Sequence, residues 1–143
     1  MIDMMSQKEL EKKLFKYKML EETTKVLTQR KELLLTKMLE IENTLDCINE
    51  IQKSKGEIFL PLGSSVYVPG TIKKLERMIV GLGAGVSVEK DVNDTKKILN
   101  QRRKVLEENL KSVEAQILKV DDEMSKLEPE IRKLIKSTST KQL

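Results

Sequence analysis

Apolar side chains recur along the first third of the chain in alternating steps of three and four residues. The series runs Leu10, Lys13, Tyr17, Leu20, Thr24, Leu27, Lys31, Leu34, Met38, Ile41, Leu45, Ile48 and Gln52, and nine of its 13 positions are apolar. A period near 3.5 keeps one apolar seam against a partner helix over many turns, so the pattern predicts a coiled-coil helix. Lys13, Thr24 and Lys31 are expected to loosen its outer half. A second series near the other end is more regular, running Leu106, Leu110, Val113, Ile117, Val120, Met124, Leu127, Ile131 and Leu134. Val92 and Leu99 extend it upstream, while Arg103 interrupts. Asp91 or Asn93 supplies a short acceptor for the free amides at its start. Pro129 lies inside the apolar series and is expected to kink or fray the helix, because it lacks an amide donor and crowds the preceding turn.

Gly56 ends the first pattern, so the helical arms cover roughly residues 6–53 and 92–136, each about 70 Å long at about 1.5 Å per residue. Arms of matched length can fold back on each other. In antiparallel register residue x then lies near residue 145 − x, which sets Leu27 by Leu118, Leu20 by Met124 or Ser125, and Phe15 by Ile131.

Between the arms the pattern changes to short β-branched or aromatic runs divided by Gly and Pro: EIFLPLG, SSVYVPG, MIVGLG and AGVSVEKD. They predict four strands in two hairpins. Gly63, Ser64 and Ser65 form the first turn, and Gly83, Ala84 and Gly85 the second. Pro69-Gly70 matches the central pair of a type II turn, where the chain would swing toward the second hairpin. Two-stranded hairpins are marginal in water, and four short strands bury too little apolar surface to stand alone. Their open edges invite another subunit, which predicts oligomerisation through Phe59, Val66, Tyr67, Val68, Ile79, Val80, Val86 and Val88. The fold class is therefore α+β and predominantly helical: a long antiparallel coiled-coil hairpin with a central module of two short β-hairpins that forms an oligomeric β-barrel or sheet. The expected divisions are residues 1–55, 56–91, 92–136 and a polar tail, 137–143.

Composition narrows the chemistry. The 143 residues include no His or Trp, one Cys and four aromatic rings, so a large globular core is not expected. Cys47 alone forms no intramolecular disulfide, and without His no zinc-ligand cluster exists. No metal, cofactor or catalytic residue is predicted, and the chain reads as a non-enzyme. The run Gly81-Leu82-Gly83-Ala84-Gly85 continues as an alternating strand, not a helix, which argues against a phosphate loop. Lysine and arginine exceed acidic residues by four, and by segment the balance is 11 to 10, 4 to 4 and 12 to 9 over residues 1–55, 56–91 and 92–143. Such a diffuse excess does not make a nucleic-acid stripe. Lys or Glu interrupts every apolar stretch long enough for a membrane span or signal peptide, so the expectation is a cytoplasmic protein with neither nucleic-acid nor membrane partner.

Some apolar residues have no place on the seam. Ile2, Met4, Met5, Leu14, Phe15, Met19 and, on the second arm, Ile135 gather toward the free ends, and four of the seven methionines fall within the first 19 residues. A two-helix hairpin has no second layer to cover them. Methionine is flexible and polarizable and suits a surface that accepts unlike apolar partners. Together with Leu10, Ile131 and Leu134 these residues make a candidate site for non-native protein segments.

The order of helix, Leu60-Pro61-Leu62-Gly63, Val66-Tyr67-Val68-Pro69-Gly70, Val80-Gly81-Leu82-Gly83-Ala84-Gly85-Val86-Ser87-Val88-Glu89-Lys90 and helix resembles the alpha class of prefoldin. The likeness covers essentially the whole chain, and its central signature is the specific part. It implies an ATP-independent chaperone that holds unfolded or non-native proteins at its coiled-coil tips and passes them to a group II chaperonin. Alpha-class subunits assemble with prefoldin beta subunits into a hexamer on a double β-barrel. The chain is also similar to the archaeal gamma prefoldin, which implies self-association into a filament. The alternative is a structural filament-forming scaffold with no essential client.

Overall fold

The computed structural model describes residues 2–140, with side chains described over residues 4–138. It contains helix α1 (Ile2–Lys53), strands β1 (Glu57–Gly63), β2 (Val66–Thr71), β3 (Arg77–Gly83) and β4 (Val86–Asp91), and helix α2 (Val92–Thr140). The architecture is α+β and predominantly helical, as the two periodicities predict. Both helices run further than their seams: α1 begins at Ile2 and α2 ends at Thr140. The chain divides into two compact units, Met1–Leu35 with Glu108–Leu143 and Thr36–Glu107.

In the first unit the seam positions are the sheltered ones. Leu27, Val113, Leu127 and Ile131 are buried, whereas Leu10, Tyr17, Leu20, Leu34, Leu110, Ile117, Val120, Met124 and Leu134 are half-buried. The expected loosening at polar seam positions is met by specific partners. Lys13 Nζ lies 3.0 Å from Glu130 Oε2 and 3.4 Å from Glu9 Oε1, and Lys31 Nζ lies 3.7 Å from Glu114 Oε1. Thr24 Oγ1 donates to its own helix at Leu20 O, 2.9 Å away, and reaches Met124 Sδ at 3.8 Å. Lys31 thus faces the residue that the antiparallel relation gives, while Lys13 meets Glu130 two positions from the expected Arg132.

Two expectations for this unit change. Leu118 does not sit under Leu27: it is 70% exposed, and Ile117 and Val120 occupy the seam instead. Nor does Pro129 fray the helix, since α2 continues through it for another three turns. The missing Pro129 amide leaves one backbone acceptor without its usual donor, but Leu127 and Ile131 on either side are buried against the seam and hold the turn in place.

In the second unit Asp91 is the cap of α2, its Oδ1 accepting from the Asp94 amide at 2.7 Å. This satisfies one of the free donors at the helix start. Thr95, the buried polar residue here, is satisfied by donating to Asp91 O at 2.8 Å. At the end of α1 the backbone turns through left-handed Lys55 (φ 55°) and Gly56 (φ 86°), and the Gly56 carbonyl accepts from the Ile72 amide at 2.7 Å. The two hairpins form separate two-stranded antiparallel sheets. In the first, Phe59 pairs with Pro69 and Leu60 with Val68; in the second, Ile79 pairs with Glu89 and Val80 with Val88.

Each hairpin turns through two central residues with positive φ, Ser64-Ser65 and Ala84-Gly85, after a register shift next to Gly63 and Gly83. Two positive φ values match the right-handed twist of the flanking strands. The turn expected at Pro69-Gly70 is absent. Both residues lie inside β2, and the chain crosses to the second hairpin through residues 72–76. Proline lacks only a donor and is tolerated on an open edge. Gly70 is extended there, with Leu60 Cδ1 and Ile58 Cγ1 beside the position of an absent Cβ.

Candidate functional site

No group of three His, Cys, Asp or Glu suited to a metal ion occurs among the described residues, and Gly81 to Gly85 span the end of β3 and a hairpin turn, not a strand-to-helix junction. What the fold does display is apolar surface that the chain leaves uncovered on both units.

On the hairpins, Phe59 and Ile79 are 75% and 76% exposed, and Val66, Tyr67, Val68 and Val86 are also exposed. Val88 is half-buried and Val80 is buried. Of the predicted oligomerisation residues, Val80 therefore belongs to the interior of its own unit and is not free to meet another chain. Leu60, Leu62 and Leu82 are exposed and join the apolar set. The sequence offered a signal for them, since each lies in the same short strands, but their alternation with Pro61, Gly63 and Gly81 weakened it. A two-stranded sheet has no covering layer, and its outward apolar side chains remain in water until another surface meets them.

Arg102 lies off the seam, and no motif in the sequence marks it. Its Nη2 donates to the Gly81 carbonyl oxygen at 2.6 Å, so it anchors the second hairpin to α2. Arg103, by contrast, is turned toward Glu107 at 3.9 Å on its own helix.

On the first unit, Met4, Met5, Leu14, Phe15, Met19 and Ile135 are all exposed, with Met5 at 78% and Phe15 at 67%. Leu10 and Leu134 are half-buried and Ile131 is buried in the seam, so these three hold the arms together where the other six face water. The Ile2 side chain lies outside the described residues. The electrostatics of this region centre on Lys13. A hydrogen bond from Lys13 to Glu130 raises its pKa above the ordinary lysine value, opposed by partial desolvation and aided by Glu9. No helix among the described residues is long and apolar enough to cross a membrane.

Comparison with known proteins agrees with this arrangement. Residues 20–137 match the family described as Prefoldin subunit. The prefoldin subunit alpha of Pyrococcus horikoshii is 32% identical over 95 residues, covering 64% of this chain and 64% of the relative. The human prefoldin subunit 5 is 38% identical over 61 residues, covering 43% of this chain and 39% of the relative. The matches thus span less than two thirds of the length of these relatives. Among solved structures, a chain of the filamentous PFD from Methanocaldococcus jannaschii, determined by cryo-EM, has a TM-score of 0.52 at 16% identity, over 89% of this chain and 98% of that one. At that identity the likeness is one of fold. The family match covers most of the chain, from Leu20 in α1 through both hairpins and most of α2, and the chain belongs to the prefoldin family.

Proposed function

We propose that this chain is a subunit of an ATP-independent holdase that grips non-native proteins with the exposed apolar side chains of its first unit and assembles through its β-hairpins. The carrying observation is the uncovered set Met4, Met5, Leu14, Phe15, Met19 and Ile135 on a helical pair that has no further layer of its own. Burying such surface against a client is worth about 25 cal/mol per Å². Individually weak grips from several arms add by avidity, because each later contact is made at high effective concentration. No nucleotide is needed for this, and no particular client sequence is demanded.

Residues 56–91 serve as the assembly module in this reading. The exposed rows around Phe59, Tyr67, Ile79 and Val86 support a shared sheet or barrel with other subunits. A filament of identical chains accords with the filamentous assembly named for the M. jannaschii structure, whose fold this chain shares. Prefoldin beta subunits and a group II chaperonin are the further partners of this proposal, and the cytoplasm is its compartment.

Removal of residues 1–15 and 129–143 tests the division of labour. The truncated protein should still assemble but should lose protection of a denatured test protein from aggregation. Equal protection by both forms would sink the client-binding reading and favour a scaffold. Size analysis of the purified chain alone tests assembly: a ladder or fibre is expected, whereas a discrete complex obtained only with a second subunit would overturn the filament.

A further inference from the structure

The outer side of α1 carries a second apolar row that the seam does not use. Met5, Met19, Val26 and Leu33 fall in one seven-residue series, interrupted between Met5 and Met19 by Lys12, and all four are exposed, with Val26 at 62%. This row continues past the methionine-rich end along the shaft. Two ion pairs fix which parts of α2 share its side of the first unit. Lys13 meets Glu130, and Lys31, on the other flank of the α1 seam, meets Glu114. The flank of α2 that carries Glu130 therefore lies on the same side as the Met19, Val26 and Leu33 row. Along that flank, one step further out, Lys119, Lys126 and Lys133 recur every seven residues and are all exposed. Lys16 and Arg30 of α1 border the apolar row and are exposed as well. The acidic groups on this side are Glu9 and Glu130, both engaged with Lys13, half-buried Glu123, and Glu22, which borders the row between Met19 and Val26 and lies 3.5 Å from Lys25. Lys126 also meets Asp122 at 3.1 Å, an exposed pair within one helix that competes weakly with an outside partner.

We infer that this side of the first unit binds an amphipathic helix with acidic flanks, lying along the shaft with its apolar edge on Met19, Val26 and Leu33 and its carboxylates toward Lys119, Lys126 and Lys133. A seven-residue repeat of exposed apolar side chains selects a helix, because a helix presents its own side chains at the same interval along its length. The basic rows select the sign of its flanks. The inference deepens the holdase reading by naming a class of client segment, and it rests on that reading.

The test uses the full-length protein and two fluorescently labelled peptides of about 21 residues, three heptads, with the same apolar row and either glutamate or lysine flanks. Fluorescence anisotropy at low salt should give affinity for the acidic peptide at least about tenfold above that for the basic one, with the gap narrowing as salt screens the charges. The triple variant Lys119→Glu, Lys126→Glu, Lys133→Glu should reverse the preference. Val26→Gln with Leu33→Gln should weaken the acidic peptide about tenfold, with circular dichroism checking that the helices are intact. Equal binding of the two peptides would overturn the inference. So would loss of binding on replacing Met4 and Met5 but not Val26 and Leu33, or concentration-dependent self-association abolished by the triple variant in place of peptide binding. Aggregation suppression by the unaltered protein, measured alongside, separates the two readings: suppression without peptide preference refutes only the helix-binding inference.

Discussion

Arg102 Nη2 donates to the carbonyl oxygen of Gly81 at 2.6 Å and so couples α2 to a strand 21 positions earlier in the chain. The second hairpin is also held by buried Val80 and by the direct run of β4 into α2, and Arg102 adds a polar anchor at the far end of β3. Replacing Arg102 with Ala should loosen it by about 1 kcal/mol, the net worth of an accessible hydrogen bond. Amide hydrogen exchange would register this as roughly fivefold faster opening in β3 and β4, with the Leu27 and Val113 seam unchanged. Uniform exchange rates across both forms would contradict the anchoring role.

Gly56 and Gly63 offer a matched comparison. Both have positive φ, 86° and 108°, but a Cβ on Gly56 would run into the Ile72 carbonyl oxygen, whereas a Cβ on Gly63 would have nothing within 4 Å. Gly63→Ala should therefore cost only the backbone term, about 1–2 kcal/mol. Gly56→Ala must also displace Ile72 and its hydrogen bond, which adds about 1–3 kcal/mol. Thermal melts of the two variants should differ in that order, and the reverse order would refute the Gly56–Ile72 contact.

The Lys13–Glu130 pair gives a stability that depends on pH at the alkaline end. Glu130 raises the folded-state pKa of Lys13 above its ordinary 10.5. A raised folded pKa means that the ammonium is favoured by folding. Its contribution is therefore complete below about pH 10.5 and disappears as the pH climbs through the folded value. Lys13→Met should melt at a lower temperature than the parent near pH 8, and the difference should shrink as the pH rises past 10.5 and through the folded value. Salt should shrink it too, since both side chains are accessible. A difference unchanged with pH would assign the effect to the lysine's methylenes.

Phe59 and Ile79 are the most exposed of the hairpin side chains that sequence reasoning selected. Phe59→Ser with Ile79→Ser removes apolar area without opening a cavity within the chain. If each side chain loses roughly 100 Å² of buried surface in the assembly, the pair weakens each subunit junction by about 5 kcal/mol. Analytical ultracentrifugation should then find smaller species, while far-ultraviolet circular dichroism of the helices stays near that of the parent. Unchanged assembly size would remove these residues from the interface.

Both helices, both hairpins and the Asp91 cap were legible because each depends on short-range periodicity or on the chemistry of a few adjacent residues. The seam series identified the sheltered positions of both arms, since a 3.5 period has only one way to face a partner helix. Pro69-Gly70 misled because the same dipeptide suits a type II turn and an open strand edge, and pairing of β2 with β1 decided between them. Fraying at Pro129 was expected from its local backbone cost alone, and the burial of Leu127 and Ile131 around it outweighs that cost. Among the site residues, exposure at Met5, Phe15 and Ile135 followed from their position off the seam and the burial of Ile131 from its place on it, but the burial of Val80 did not follow from residue type.

The sequence by itself determined that this chain forms two amphipathic helices flanking two hairpins, since hydrophobic periods of about 3.5 and about 2 leave little choice of local structure. Tertiary structure decided which side chains stay outside. Lys13 on Glu130 and Lys31 on Glu114 set the facing flanks of the arms and brought the Met19, Val26 and Leu33 row to the same side as Lys119, Lys126 and Lys133. The physical reason is that a repeat along one helix specifies a stripe, whereas the side that stripe shares with another helix depends on contacts made about 100 residues away in the chain.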